Sequence, residues 1–110
     1  LGGLGCNVAR LQIVRALGQT GNDISGIQDA SVKQSAQAGV DQANDGIGQI
    51  AQALLAGEAP PQDGRDITEA GLTAASSALA AGDASDPAVA SAQGSIADAI
   101  SAGKDVVAKC

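Results

Sequence analysis

The chain has 110 residues, the length of one domain with a single small core, and it contains no Phe, Tyr, Trp, Met or His. Its formal net charge of −6 sets 12 acidic residues against 6 basic ones spread from Arg10 to Lys109. That argues against nucleic acid as a partner, because a phosphate backbone calls for clustered cations.

The opening Leu1-Gly2-Gly3-Leu4-Gly5 is glycine-rich but follows no strand and lacks the Lys-Ser/Thr of a phosphate loop, so residues 1–5 read as a flexible terminus. Without an initiator Met, the sequence reads as a processed, mature chain. Residues 6–28 form the first expected helix, with Cys6, Ile13, Leu17, Ile24 and Ile27 on one stripe and Leu11, Val14 and Gly18 beside it. Arg10, Gln12 and Arg15 face outward. Gly18 and Gly21 each weaken the helix by about 1 kcal/mol relative to Ala, which favours a kink or fraying after Gly18. The short turn at 28–31 makes the first two helices antiparallel neighbours.

The second expected helix, 31–56, is the most regular. Val32, Ala36, Val40, Ala43, Ile47, Ile50 and Leu54 recur at steps of three and four, opposite Lys33, Gln37, Asp41, Asp45 and Gln52. Ser31 with Gln34 reads as its capping box, and Gly57 before Pro60-Pro61 as its stop. After a proline-rich loop at 58–64, Asp66 with Glu69 reads as the start of a third helix, 66–81, whose seam of Leu72, Ala75 and Leu79 is the weakest of the four. Gly82 ends it. Pro87 stands at the first position of a fourth helix, 86–109, with Val89, Ile96, Ile100, Gly103, Val107 and Cys110 on one stripe. The expected fold is all-α: one antiparallel, up-down-up-down four-helix bundle spanning residues 1–110. A faint repeat runs through it. Ala36-Gln37, Val40 and Ala43 are matched 56 positions later by Ala92-Gln93, Ile96 and Ala99, and Leu17 and Ile24 are matched 55 positions later by Leu72 and Leu79.

Cys6 lies on the first seam and Cys110 on the fourth, at the same end of such a bundle, so both point inward and can meet. A disulfide closing about 100 residues stabilises by about 4 to 5 kcal/mol in the chain-entropy treatment, which suits a core built only of aliphatic side chains. Such a bridge implies an oxidising compartment and hence an exported protein. Two cysteines without a histidine complete neither a zinc site nor a CxxC redox pair.

Chemistry has few other supports. Without His, the Ser-His and Cys-His nucleophile arrangements cannot form. Asp41 and Asp45 read as a solvated stripe, since a helix surface offers neither burial nor the oxygen-rich loop that calcium prefers; Asp83 and Asp86 read as capping groups. No run approaches the ~20 apolar residues of a transmembrane helix. The expectation is therefore a chain with no catalytic residues, no metal, no cofactor and no enzymatic activity. What remains is the interior, where Gly39, Gly46, Gly71, Gly94 and Gly103 interrupt an Ala, Ile, Leu and Val core. Such a core either packs tightly or leaves a slot that takes an unbranched acyl chain without a polar anchor. The candidate lining residues are Leu17, Ile47, Ile50, Leu72, Ile96 and Ile100, near the middle of the helices and far from the bridge.

The stretches Ile47-Gly48-Gln49-Ile50-Ala51-Gln52-Ala53-Leu54-Leu55 and Ala92-Gln93-Gly94-Ser95-Ile96-Ala97-Asp98-Ala99-Ile100 resemble small exported fungal proteins of the hydrophobic surface binding protein A type and the related helical domains of fungal cell-wall mannoproteins. The resemblance implies secretion to the cell wall or medium, adsorption to hydrophobic surfaces and, in some relatives, fatty-acid binding within the bundle. The function expected is thus noncatalytic binding of lipid acyl chains or hydrophobic surfaces. The alternative is a structural or partner-binding module with a solid core, recognising a cell-wall or host protein.

Overall fold

A computed structural model describes residues 3–110; Leu1 and Gly2, part of the expected flexible terminus, lie outside the described residues. Among the described residues there are four α-helices and no strand: α1 (Leu4–Ile24), α2 (Ala30–Leu55), α3 (Gln62–Ala80) and α4 (Pro87–Lys109). They run alternately up and down as an elongated bundle of 44 × 21 × 17 Å.

Helix ends differ from expectation where two signals compete. α1 begins at Leu4, two residues before Cys6, so Leu4 and Gly5 are helical rather than a loose terminus. It continues through Gly18 and Gly21 to Ile24, and Ile27 is buried as part of the turn, not of the helix. The stripe thus recorded burial correctly and helicity one turn too far. α2 is capped by Asp29, whose carboxylate accepts a hydrogen bond from Val32 N at 3.1 Å, and Ser31 lies inside the helix. Both side chains are cap-competent, and the aspartate also complements the positive end of the helix dipole. At the other end Gly57 takes φ +75°, and the Glu58 and Gly57 amides donate to the Ala53 and Leu54 carbonyls, the Schellman arrangement that favours glycine there.

The largest displacement is in α3, which starts at Gln62 after Pro61 rather than at Asp66. Asp66 does not cap; inside the helix it accepts from Gln62 Nε2 at 2.9 Å. The added turn buries Gly64 against Gly46 and Ile50 of α2, and this packing overrides a sequence that looks like loop. α4 begins as expected, with Pro87 in the first turn and Asp86 capping Ala88 N at 2.9 Å. The second Asp86 oxygen accepts from Gln28 N at 3.1 Å, tying the two loops at that end together. Asp83 caps no helix; it accepts from the amide and hydroxyl of Ser85.

The helices assemble as two intimate pairs, α2 with α3 and α1 with α4, and contact between the pairs is looser. Glycine and alanine make the first pair possible. A methyl on Gly39 would stand 2.8 Å from Ala75 Cα, and one on Gly46 would stand 2.6 Å from the Gly64 carbonyl oxygen. The backbones therefore touch, and dispersion along the whole contact substitutes for large side chains. The pairing also has the symmetry of the 55- and 56-residue repeat: shifting α1 onto α3 and α2 onto α4 carries the α2–α3 contact onto the α4–α1 contact.

Cys6 and Cys110 are joined, closing 104 residues of sequence separation at one end of the bundle. Cys6 is buried as expected. Cys110 is exposed, because it lies beyond the last helical residue, where no neighbouring helix covers it.

Candidate functional site

The two halves of the bundle are filled differently. In the half away from the bridge, Leu17, Ile24, Val40, Leu79, Val89 and Ile96 interlock and are essentially inaccessible. Thr20, the buried polar residue there, donates its hydroxyl to the Ala16 carbonyl at 2.7 Å. The bridge half is different. Between the α1–α4 pair and the α2–α3 pair lies a cavity of about 560 Å³, within the range typical of small-molecule sites.

All four helices contribute aliphatic walls: Ile13 from α1, Ile47 and Ile50 from α2, Leu72 from α3, and Ile100 and Val106 from α4. The cavity exists because of what stands at two repeat-related positions. Ile13 corresponds to Thr68, and Ile47 corresponds to Gly103, so each of these positions carries a large aliphatic in one copy of the repeat and a smaller residue in the other, and all four line the cavity. A methyl on Gly103 would still stand 3.7 Å from the ends of Ile13 and Leu72, ordinary van der Waals contact. Thr68 adds no unsatisfied polarity, since its hydroxyl donates to the Gly64 carbonyl at 2.8 Å. Among the described residues no buried side-chain nitrogen or oxygen lacks a hydrogen-bond partner.

The rim is charged. Arg10 of α1 and Arg65 of α3 are repeat-related, 55 positions apart, and both line the cavity together with Lys104 of α4; Asp66 and Glu69 stand on the α3 side. The site is therefore an aliphatic slot whose edge carries Arg10, Arg65 and Lys104 together with Asp66 and Glu69; apolar contact within and hydrated charge at the rim suit an apolar chain with a polar head.

Of the sequence-derived candidates, the cavity gathers Ile47, Ile50, Leu72 and Ile100. Leu17 and Ile96 do not line it; they are 1% and 2% exposed in the solid half of the core. The slot also lies toward the bridge rather than away from it, reaching Arg10 on α1 and Val107 on α4. The reason is local volume: Gly64, Thr68 and Gly103 cluster in this half, while large side chains occupy the other. The glycines divide in the same way. Gly39, Gly46 and Gly71 close the α2–α3 contact, Gly103 faces the cavity, and Gly94 faces open space. Ile13 belongs to the inward stripe read from the sequence, though not to its candidate lining residues, and Arg10 reads there as facing outward; Val106, Arg65 and Lys104 carry no reading as site residues, and the recurrence of Arg10 at Arg65 is the available signal.

Asp41 and Asp45 stand exposed on the outer face of α2, with Asp41 accepting from Gln37 Nε2 at 2.9 Å. A second, shallower depression between α1 and α4 is lined mainly by polar groups, among them Gln12, Arg15, Asp98 and Asp105. No helix of the described residues is long and apolar enough to cross a membrane. Comparison of the chain with protein-family models, with curated proteins and with solved structures finds no match.

Proposed function

We propose that this protein is a noncatalytic, exported lipid-binding protein that takes up a single acyl chain between its two helix pairs. The observation that carries this reading is the aliphatic cavity bounded by Ile13, Ile47, Ile50, Leu72 and Ile100 with Arg10, Arg65 and Lys104 at its edge. An unbranched chain needs only apolar contact along the slot, and a carboxylate head finds cations at the rim while remaining hydrated. The Cys6–Cys110 bridge supports an extracellular or cell-wall location, because such a bond persists in an oxidising compartment. The resemblance to fungal hydrophobic-surface-binding and cell-wall proteins fits the same reading.

Native mass spectrometry of gently purified protein, followed by titration with saturated fatty acids of increasing length, tests it. Each methylene that enters the slot contributes about 0.8 kcal/mol, so affinity should rise about fourfold per carbon until the cavity is full and then level off. A protein that retains no lipid and shows no length-dependent uptake has a solid interior in solution, and the partner-binding alternative then takes its place.

A further inference from the structure

The exposed large aliphatic side chains of the described residues are Leu4, Val8, Leu11, Val14, Leu55 and Val107, and every one lies toward the bridge end of the bundle. Three of them form a line. Leu4, Val8 and Leu11 follow one another at steps of four and three on the face of α1 opposite Cys6, Ala9, Ile13 and Leu17, and Arg15 continues the line one turn on. Leu4 is 83% and Leu11 70% exposed. The first three turns of α1 are thus apolar on the side that meets the core and again on the side that does not.

At the bridge end charge divides between the two helix pairs. The chain carries no Asp or Glu before Asp23, although it has 12 acidic residues. Arg10 and Arg15 belong to this segment, and Lys104 and Lys109 lie on the last turns of the adjoining α4, where Lys109 packs against Gly5. Asp105 is the acid among those last turns, and with Asp98 it faces Arg15 across the polar depression between the helices. The opposite end of the bundle carries Asp23, Asp29, Asp83 and Asp86 with Lys33, and on the α2–α3 side of the bridge end stand Glu58, Asp63, Asp66 and Glu69 with Arg65, so the cationic surface is confined to the α1–α4 side of that end. The apolar line of α1 therefore has four cations beside it, Arg10, Arg15, Lys104 and Lys109, against Asp98 and Asp105, in a protein that is acidic as a whole.

We infer that the outer face of α1 at the bridge end docks on an anionic lipid surface, Leu4, Val8 and Leu11 entering the headgroup boundary while Arg10, Arg15, Lys104 and Lys109 meet lipid phosphates. This rests on the lipid-binding reading and names the surface from which the chain is loaded: Val14 and Val107, which line the cavity, are exposed beside the docking face, so docking brings the slot to the interface. Shallow insertion needs only a short amphipathic face and basic flanks. A second copy suits the face less, since three side chains fall far short of the roughly 1,200 Å² of a stable pair, and an isologous contact would set like cations against each other.

Cosedimentation with vesicles tests the inference, using pure phosphatidylcholine and equal parts phosphatidylcholine and phosphatidylglycerol. The wild type should partition about tenfold more strongly onto the anionic vesicles, less so as salt is raised. The double variant Leu4→Gln with Leu11→Gln should lose about tenfold of that binding while keeping its helical spectrum and its uptake of free oleate. Leu55→Gln, at the far side of the same end, should bind as the wild type does. Equal partition of wild type and double variant, or equal partition onto the two vesicle types, overturns the inference. So does a concentration-dependent dimer in sedimentation velocity that the double variant abolishes while neither protein binds vesicles. If oleate uptake is absent but anionic docking still depends on Leu4 and Leu11, the surface stands and the cavity reading falls.

Discussion

Gly71 on α3 lies directly against the backbone of Ala43 on α2: a methyl on Gly71 would stand 2.8 Å from Ala43 Cα and 2.6 Å from the Gly39 carbonyl oxygen. Neither obstacle is a side chain that can rotate away. Gly71→Ala and Gly39→Ala should therefore each destabilise the protein by about 1 to 3 kcal/mol, the cost of overpacking. Gly18, Gly48 and Gly94 also interrupt helices, but nothing stands within 4 Å of their missing methyls. Alanine there should stabilise by about 0.5 to 1 kcal/mol each. Urea unfolding of the five variants measures both signs with one chemical change.

The same contrast separates cavity from core. Gly103→Leu extends into the slot from a position with ordinary clearance to Ile13 and Leu72. Displacing two ligand methylenes removes about 1.6 kcal/mol, or about fifteenfold in affinity, so acyl-chain uptake should fall by that order with little change in stability. Ala43→Leu enters the α2–α3 contact instead, and about 1 to 3 kcal/mol of stability should be lost. Isothermal titration and thermal unfolding of the pair check this.

Reduction of the Cys6–Cys110 bond releases 104 residues of closed chain. By the chain-entropy treatment that removes about 4 to 5 kcal/mol. The midpoint of thermal unfolding should drop accordingly in reductant, or in a Cys6→Ser, Cys110→Ser variant, while the low-temperature helical spectrum persists. Circular dichroism melts with and without reductant measure it.

Asp83 is held below the ordinary carboxylate pKa by the hydroxyl of Ser85 and then by its amide. A folded value below the unfolded one means that ionised Asp83 favours the fold. The contribution is present above the unfolded value and lost as pH falls through the folded one, so the change is confined to pH values below about 4. Carbon-detected titration of Asp83 should show its midpoint move upward in Ser85→Ala, because the hydroxyl is removed.

The all-helical fold was legible because helix geometry writes itself into spacing: Val40, Ala43, Leu72, Leu79, Val89 and Ile96 all occupy the core their steps of three and four imply. Boundaries were less legible, since Asp29 and Ser31 compete as caps and only tertiary packing of Gly64 on α2 explains the early start of α3. The candidate site was legible in part. Ile47, Ile50, Leu72 and Ile100 were named from their seams, as were Leu17 and Ile96, because periodicity reports that a residue faces inward but not whether the space before it is full. That depends on which small residue stands across the interface, as Thr68 and Gly103 do here, and on helix pairings that single-helix patterns do not encode.

The bridge also acts as a fourth loop. It links the end of α4 to the start of α1 just as the segment 56–61 links α2 to α3, the step related to it by the repeat. With it, the four helices form a closed ring in which each is covalently attached on both sides, and no helix can unravel from a free end. A single proteolytic cut in the 81–86 turn should therefore open the ring without releasing any part of it. The nicked protein should gain only the mass of the water consumed and keep its helices until reductant divides it in two.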